Sequence, residues 1–218
     1  MKALADSVIN GHHTSISCRR DHLSSCLHPM SSPRFASHWP HPARWLGPRC
    51  RWQSPPPAAL LTWLDEAGSL TARLQALAQG RLQVQVLDEG WAQPTRDECR
   101  QLGLRGGRLA WIREVRLQCD GVAWVQARSV LPRTSLVGSG RRLTRLGNRS
   151  LGALLFRNPR LQRGDIAIAP LQLHGGTVWA RRSALHLHGH PVLVAEAFLP
   201  ALLQHAGNTP PVTPCPAP

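Results

Sequence analysis

Long apolar runs are missing from this chain. No stretch approaches the roughly 20 residues a membrane-spanning helix needs, and the N-terminus lacks the apolar core of a secretory signal. Metal and disulfide spacings are missing too. The six cysteines (Cys18, Cys26, Cys50, Cys99, Cys119 and Cys215) are scattered, which fits reduced thiols in a cytosol. Cys18 and Cys26 stand near His22 and His28, but Cys-x7-Cys is not a zinc spacing. Lysine is nearly absent. Of 26 basic residues only Lys2 is lysine, the rest being arginine, against 12 acidic residues and a net charge of +14. Such a charge invites a nucleic-acid reading. Residues 56–203 hold 19 arginines and 10 acids, and the first 55 hold 7 basic and 2 acidic residues. The surplus is spread along the chain without a basic block. It implies a general attraction for anions and no nucleic-acid partner.

Composition divides the chain. Residues 1–55 carry six of the eleven histidines, three cysteines and no apolar periodicity. They read as an unstructured leader, with Met30 as a candidate start and residues 1–29 outside the product. Residues 56–205 read as one folded domain, and 206–218 as a loose proline-rich tail. Within the domain, Leu60, Leu61 and Leu64 have helical spacing. Ser69 looks like an N-cap for a helix to residue 79, with Gly80 as its stop. Ser150 caps another through Phe156. Alternation predicts strands at 82–86, 109–119, 122–131, 162–169, 178–188 and 191–199. Asp120-Gly121 signals a tight hairpin, and His188-Gly189-His190 a turn between the last two strands. Few helices and many consecutive strands predict an α+β fold around one antiparallel sheet.

One carboxylate, Glu196, interrupts an apolar run at 191–199. One strand face carries Val192, Val194, Glu196 and Phe198, and the other Leu193, Ala195, Ala197 and Leu199. The segment is therefore predicted to be buried on both sides. A buried carboxylate has to be paired or hydrogen-bonded, because bare burial costs several kcal/mol. In 109–119 one face carries Leu109, Trp111, Arg113, Val115, Leu117 and Cys119; the opposite face is mostly polar. Arg113 thus faces the core, where its planar fork suits a carboxylate. Two readings stand: Arg113 and Glu196 neutralise each other, or they hold different groups of one ligand. The helix starts at Leu70 and Leu151 add backbone donors without intrahelical partners, which attract anions.

Several motifs together resemble the chorismate pyruvate-lyase family. They are Trp63-Leu64, Gly68-Ser69-Leu70-Thr71, Trp111-Ile112-Arg113-Glu114-Val115, Cys119-Asp120-Gly121 with Trp124, Ser150-Leu151-Gly152, Arg181-Arg182-Ser183 and Ala195-Glu196-Ala197-Phe198-Leu199-Pro200. The similarity spans residues 58–203. The resemblance implies a single antiparallel sheet with helical flaps enclosing the ligand. It implies elimination of pyruvate from chorismate to leave 4-hydroxybenzoate, the ubiquinone ring precursor, without metal or cofactor. It implies that Arg113 binds the ring carboxylate, helped by the backbone at Leu70 and Leu151, and that Glu196 binds the ring hydroxyl. A family member carries methionine where this chain has Leu70. The enzyme is expected to act as a cytoplasmic monomer.

Weaker features remain. His186, His188 and His190 alternate, with His174 nearby; they read as solvated strand and turn residues or, less simply, as a zinc site. Arg181 and Arg182 point to opposite faces of a regular strand. One of them could take the second carboxylate of chorismate, or both could be solvated surface arginines. The rival to catalysis is a small-molecule-sensing domain of the same architecture. Such domains accompany a DNA-binding helical domain, whose pattern residues 1–57 do not show.

Overall fold

Tight two-residue turns build the sheet. In the computed structural model, which describes residues 35–40, 44–47, 55–173 and 176–208, β2 (Ala110–Cys119) and β3 (Val122–Pro132) join at Asp120 (φ 51°) and Gly121 (φ 77°). Two successive left-handed residues match the right-handed twist of the flanking strands. The same device at His188 (φ 51°) and Gly189 (φ 79°) joins β6 (Gly176–Leu187) to β7 (His190–Phe198). With β1 (Leu82–Ala92), β4 (Gln162–Arg163) and β5 (Ala167–Leu173) they form one antiparallel sheet, ordered β1-β2-β3-β7-β6-β4. β5 also pairs with β6. The strand expected at 162–169 is thus two strands. The chain divides into units Met1–Pro33 and Arg34–Pro218, and every described residue belongs to the second. The readings made on residues 1–29, Met30, His174 and 209–218 lie outside the described residues.

Helices cover one face. α1 (Ala58–Leu64), α2 (Leu70–Leu77) and α5 (Pro200–Asn208) bury Leu60, Trp63, Leu64, Leu70, Leu74 and Leu202 against Leu117, Trp124, Val125 and Phe198. α4 (Leu151–Leu155) packs Leu151 and Leu155 with Leu131, Leu185 and Val192. Burying each large apolar side chain contributes roughly 1.5–3 kcal/mol. No helix among the described residues is long and apolar enough to cross a membrane.

The mostly polar face of β2 is buried as well. Trp39 covers the small side chains Ala169, Ala180, Ala195 and Ala197, while Phe35 and Leu102 pack with Ile112, Val130 and Leu193. Leu46 pairs with Ile168 as an isolated bridge. The packed unit therefore exceeds the expected 56–205 at both ends: Trp39 and Leu46 belong to the core, and α5 runs on to Asn208. Polar composition hid these N-terminal anchors, because two buried side chains do not make a periodic pattern.

Burial on this side is possible because the charges are matched. Arg128 donates through Nε and Nη2 to the Glu98 carboxylate (2.7 and 3.1 Å) and through Nη1 to Glu114 (2.6 Å). Glu114 also accepts from the His38 backbone N–H (2.6 Å) and Ser37 Oγ (2.7 Å). Glu98 belongs to the Thr95 capping box of α3 (Arg96–Gln101), so the network fastens α3 to the sheet. Burial works against the charge on Arg128, but Glu98 and Glu114 raise its pKa above the ordinary arginine value. Replacing Arg128 by Met leaves two carboxylates facing each other in a dry layer. R128M should lower stability by about 3–5 kcal/mol, read as the urea midpoint. The triple variant E98Q/R128M/E114Q should lose less than R128M alone. A midpoint for R128M equal to wild type would refute this account.

Candidate active site

Sheet register puts the sequence-predicted site residues on one face. Across the sheet, Arg113 pairs with Ser129 and Ser129 with Val194; one rung on, Val115 pairs with Ala127 and Ala127 with Glu196. Arg113 on β2 and Glu196 on β7 are thus separated by β3, about 10 Å apart in strand spacing alone. Both line one cavity, together with Thr71, Ala127, Ser150 and Leu151. Its volume is ≈30 Å³, room for water but far less than the roughly 150 Å³ that takes benzene.

The two charged groups do not neutralise each other. Arg113, 2% exposed, is ion-paired with Glu89. Its Nη2 donates to the carbonyls of Gly147 (2.5 Å) and Arg149 (3.3 Å). Those carbonyls lead into the Ser150 cap of α4, so the guanidinium and the helix start share one end of the cavity. Ser150 Oγ accepts from Ala153 N–H at 3.2 Å; the earlier donors of this turn, Leu151 among them, have no intrahelical acceptor. At the other end, Glu196 Oε2 accepts from Arg181 Nε at 2.7 Å. Arg181, 1% exposed, also donates to the carbonyls of Trp63 (3.1 Å) and Glu66 (2.6 Å), tying the α1–α2 connection to the sheet. Arg163 donates to Ser183 Oγ (3.0 Å) and the Gly68 carbonyl (3.3 Å). Burial, followed by the neighbouring Arg181 charge, lowers its pKa from the ordinary arginine value.

Two helical flaps meet over the cavity. Thr71 Oγ1 and Ser150 Oγ are hydrogen-bonded at 2.7 Å, joining the first turns of α2 and α4. A Cβ at residue 152 would lie 3.2 Å from Thr71 Oγ1, so Gly152 permits this close approach. Outside the contact lies an open groove of ≈560 Å³ between the flaps, lined by Gln75, Arg149, Phe156 and Arg157. Thr71, Arg149 and Ser150 border both spaces. Leu70 begins α2 behind its Ser69 cap, but its side chain packs into the core and it is Thr71 that lines the cavity.

Other expectations change. Arg181 and Arg182 do point to opposite faces, but neither is solvated: Arg182 is 7% exposed, paired with Asp97 and stacked 4.5 Å from the Trp45 ring centroid. His188 occupies the left-handed turn position and contacts Asn158, so the three histidines do not share a strand face. Among the described residues no group of three His, Cys, Asp or Glu side chains is placed to hold a metal. Glu89, Arg163, Thr71 and the Arg181–Glu196 pairing were not read from the sequence. The last was accessible: counting back from the His188-Gly189 turn puts Arg181 opposite Glu196.

Comparison with known proteins places the chain in a family. The chorismate lyase family model matches residues 40–208. A probable chorismate pyruvate-lyase of Marinobacter nauticus is 46% identical over 144 residues, covering 65% of this chain and 77% of that protein. One from Pseudomonas aeruginosa is 44% identical over 155 residues, with 68% and 87% covered. One from Aromatoleum aromaticum is 40% identical over 185 residues, with 76% and 96% covered. Among solved structures, the effector domain of PhnF from Mycobacterium smegmatis is 17% identical with a TM-score of 0.46, covering 62% of this chain and 90% of that one. With a family match across most of its length and an arginine and a glutamate facing one enclosed cavity, the chain belongs to the chorismate lyase family of enzymes.

Proposed function

We propose that this enzyme eliminates pyruvate from chorismate and leaves 4-hydroxybenzoate, the ring precursor of ubiquinone, as a cytoplasmic monomer. The observation that carries the reading is the placement of Arg113 and Glu196 at one cavity, each held by its own partner and not by the other. The ring carboxylate goes to Arg113 and the donors at Leu151 and Leu70. With Oε2 committed to Arg181, Glu196 takes the C4 hydroxyl through Oε1.

The substrate supplies its own driving force. The C4–H bond breaks and its electron pair completes the aromatic ring. The C3–O bond breaks and its pair leaves on the enolate oxygen. A proton on the enolate methylene then gives pyruvate, so atoms balance without a cofactor. The protein's part is to hold the ring and arm in one reactive geometry and to place fixed donors where charge develops. The cavity is smaller than a benzoate ring and has to widen to hold one; entry and exit past the Thr71–Ser150 contact require the α2 and α4 flaps to part.

Incubating the protein with chorismate should generate 4-hydroxybenzoate absorbance and an equal amount of pyruvate. A folded protein without product would move the assignment to a sensing domain. R113Q should lower kcat/KM by about 100-fold or more, since it removes a buried partner of a carboxylate. E196Q keeps a hydrogen bond to the hydroxyl but cannot accept a proton. A near-normal single turnover would restrict Glu196 to orientation; loss of that step would assign it proton transfer.

Slow opening should appear as a full pre-steady-state burst of product, and a linear trace from time zero would contradict it. T71V preserves volume but breaks the Thr71–Ser150 hydrogen bond, which contributes about 1 kcal/mol. Displacement of 4-hydroxybenzoate, followed by tryptophan fluorescence, should quicken about fivefold in T71V. An unchanged release rate would show that the contact does not hold the flaps.

A further inference from the structure

Four charged side chains lie on the cavity face of the sheet. Arg113 is on β2, Glu196 on β7, Arg181 on β6 and Arg163 on β4, and these strands follow one another in that order apart from β3. The pairing of Arg163 with Leu185, and of Leu185 with Val192, keeps Arg163 on the same side as Val192 and Glu196. Beyond Glu196 this face therefore carries two guanidiniums, with the Arg163 side chain reaching Ser183, two residues from Arg181.

These two arginines are incompletely satisfied. Arg181 Nη2 and Arg163 Nε are buried without a hydrogen-bond partner among the described residues. A buried unpaired donor on a cation is costly, and two together on neighbouring strands call for an anion. Glu196 and Glu66 are the carboxylates whose charges reach Arg163. Glu196 already serves Arg181, and Glu66 is turned to the Gly68 N–H and Arg73.

A ring lying from Arg113 to Glu196 carries its ether substituent on the carbon beside the hydroxyl. That arm starts at the Glu196 end and runs on toward β6 and β4. It ends in a second carboxylate, which departs with pyruvate and which 4-hydroxybenzoate lacks. We propose that Arg163 and Arg181 form the subsite for the carboxylate of the three-carbon enol ether arm, with Arg163 Nε and Arg181 Nη2 as donors. This rests on the lyase reading above. The subsite also places positive charge beside the oxygen that receives the electron pair when the C3–O bond breaks. Arg181 has a second task in holding Glu196, so Arg163, whose other contacts are Ser183 and the Gly68 carbonyl, is the residue that reports the subsite without breaking the hydrogen bond to Glu196.

The test compares ligands with one and two carboxylates on the full chain. R163Q should lower kcat/KM for chorismate about 30-fold, the loss of a charge-assisted contact, while the Kd for 4-hydroxybenzoate stays within about twofold. R163K, which keeps the charge but not the planar fork, should fall between and serves if R163Q does not fold. A non-reacting probe, 3-(carboxymethoxy)-4-hydroxybenzoate, reads the subsite without turnover: it should bind wild type about 30-fold tighter than R163Q. Equal affinity of the two proteins for that probe overturns the subsite. Equal loss of 4-hydroxybenzoate binding in R163Q also overturns it, assigning Arg163 to the α1–α2 connection alone. If wild type binds the probe in an Arg163-dependent way yet leaves chorismate intact, the lyase reading fails and the dicarboxylate subsite stands.

Discussion

The site depends on two ion pairs, each with a buried arginine, being kept apart. A lone guanidinium or carboxylate would not survive in this sheet, because its desolvation is uncompensated. The economical solution is a direct Arg113–Glu196 pair, which would close the space between them. The fold avoids it by giving each charge a separate partner on its outer side. Glu89 takes Arg113 from β1 and Arg181 takes Glu196 from β6. Between them the floor is β3, which presents Ala127 and Ser129, two small side chains. Charge at both ends and little bulk in the middle suit a ring with a polar group at each pole.

Two irregularities in the sheet decide which residues meet. The register of β1 on β2 slips between Val86 and Asp88, and that slip brings Glu89 opposite Arg113. The register of β2 on β3 slips between Leu117 and Gln118. An unbroken ladder from the Asp120-Gly121 turn would set Arg113 against Arg128, a like-charge pair. The slip moves each residue by one position, and a one-residue shift exchanges the faces of a strand. Arg128 then goes to the opposite side, where Glu98 and Glu114 meet it, and Ser129 comes to the cavity. Bulges of this kind are common beside functional sites.

These irregularities also mark how far the sequence could be read. The face of Glu196 within its strand, the burial of Arg113, the caps at Ser69 and Ser150 and both tight turns follow from local pattern, and the structure has each of them. Period-2 alternation is reliable within a strand and uninformative about its neighbour once a bulge intervenes. That is why Arg181 could be found from its hairpin while Glu89 could not. On β2 the burial of the second face was not read, for another reason. Its side chains are polar, and polarity reads as solvation unless the partner is known. Glu98 comes from α3 and the His38 N–H from the N-terminal segment, each distant in sequence from the carboxylate or guanidinium it meets.

The scarcity of acids ties the core to the surface. Asp97, Glu89, Glu98, Glu114 and Glu196 are all engaged with buried arginines, which uses half of the ten acids in residues 56–203. The remaining acids are also unevenly placed: none occurs from Gly121 to Gly164, a stretch that carries Arg141, Arg142, Arg145, Arg149 and Arg157. The positive surplus is therefore not uniform, as composition alone suggested, but gathers on the segment that forms the α4 flap. Those five arginines are exposed, and Arg149 and Arg157 line the groove outside the Thr71–Ser150 contact. A field of this sign raises the local concentration of a dianion at the mouth of the site and weakens as salt screens it. Once the reaction is over, each product carries a single carboxylate and feels that attraction less. The distribution of charge thus favours arrival of a dianion over retention of a monoanion.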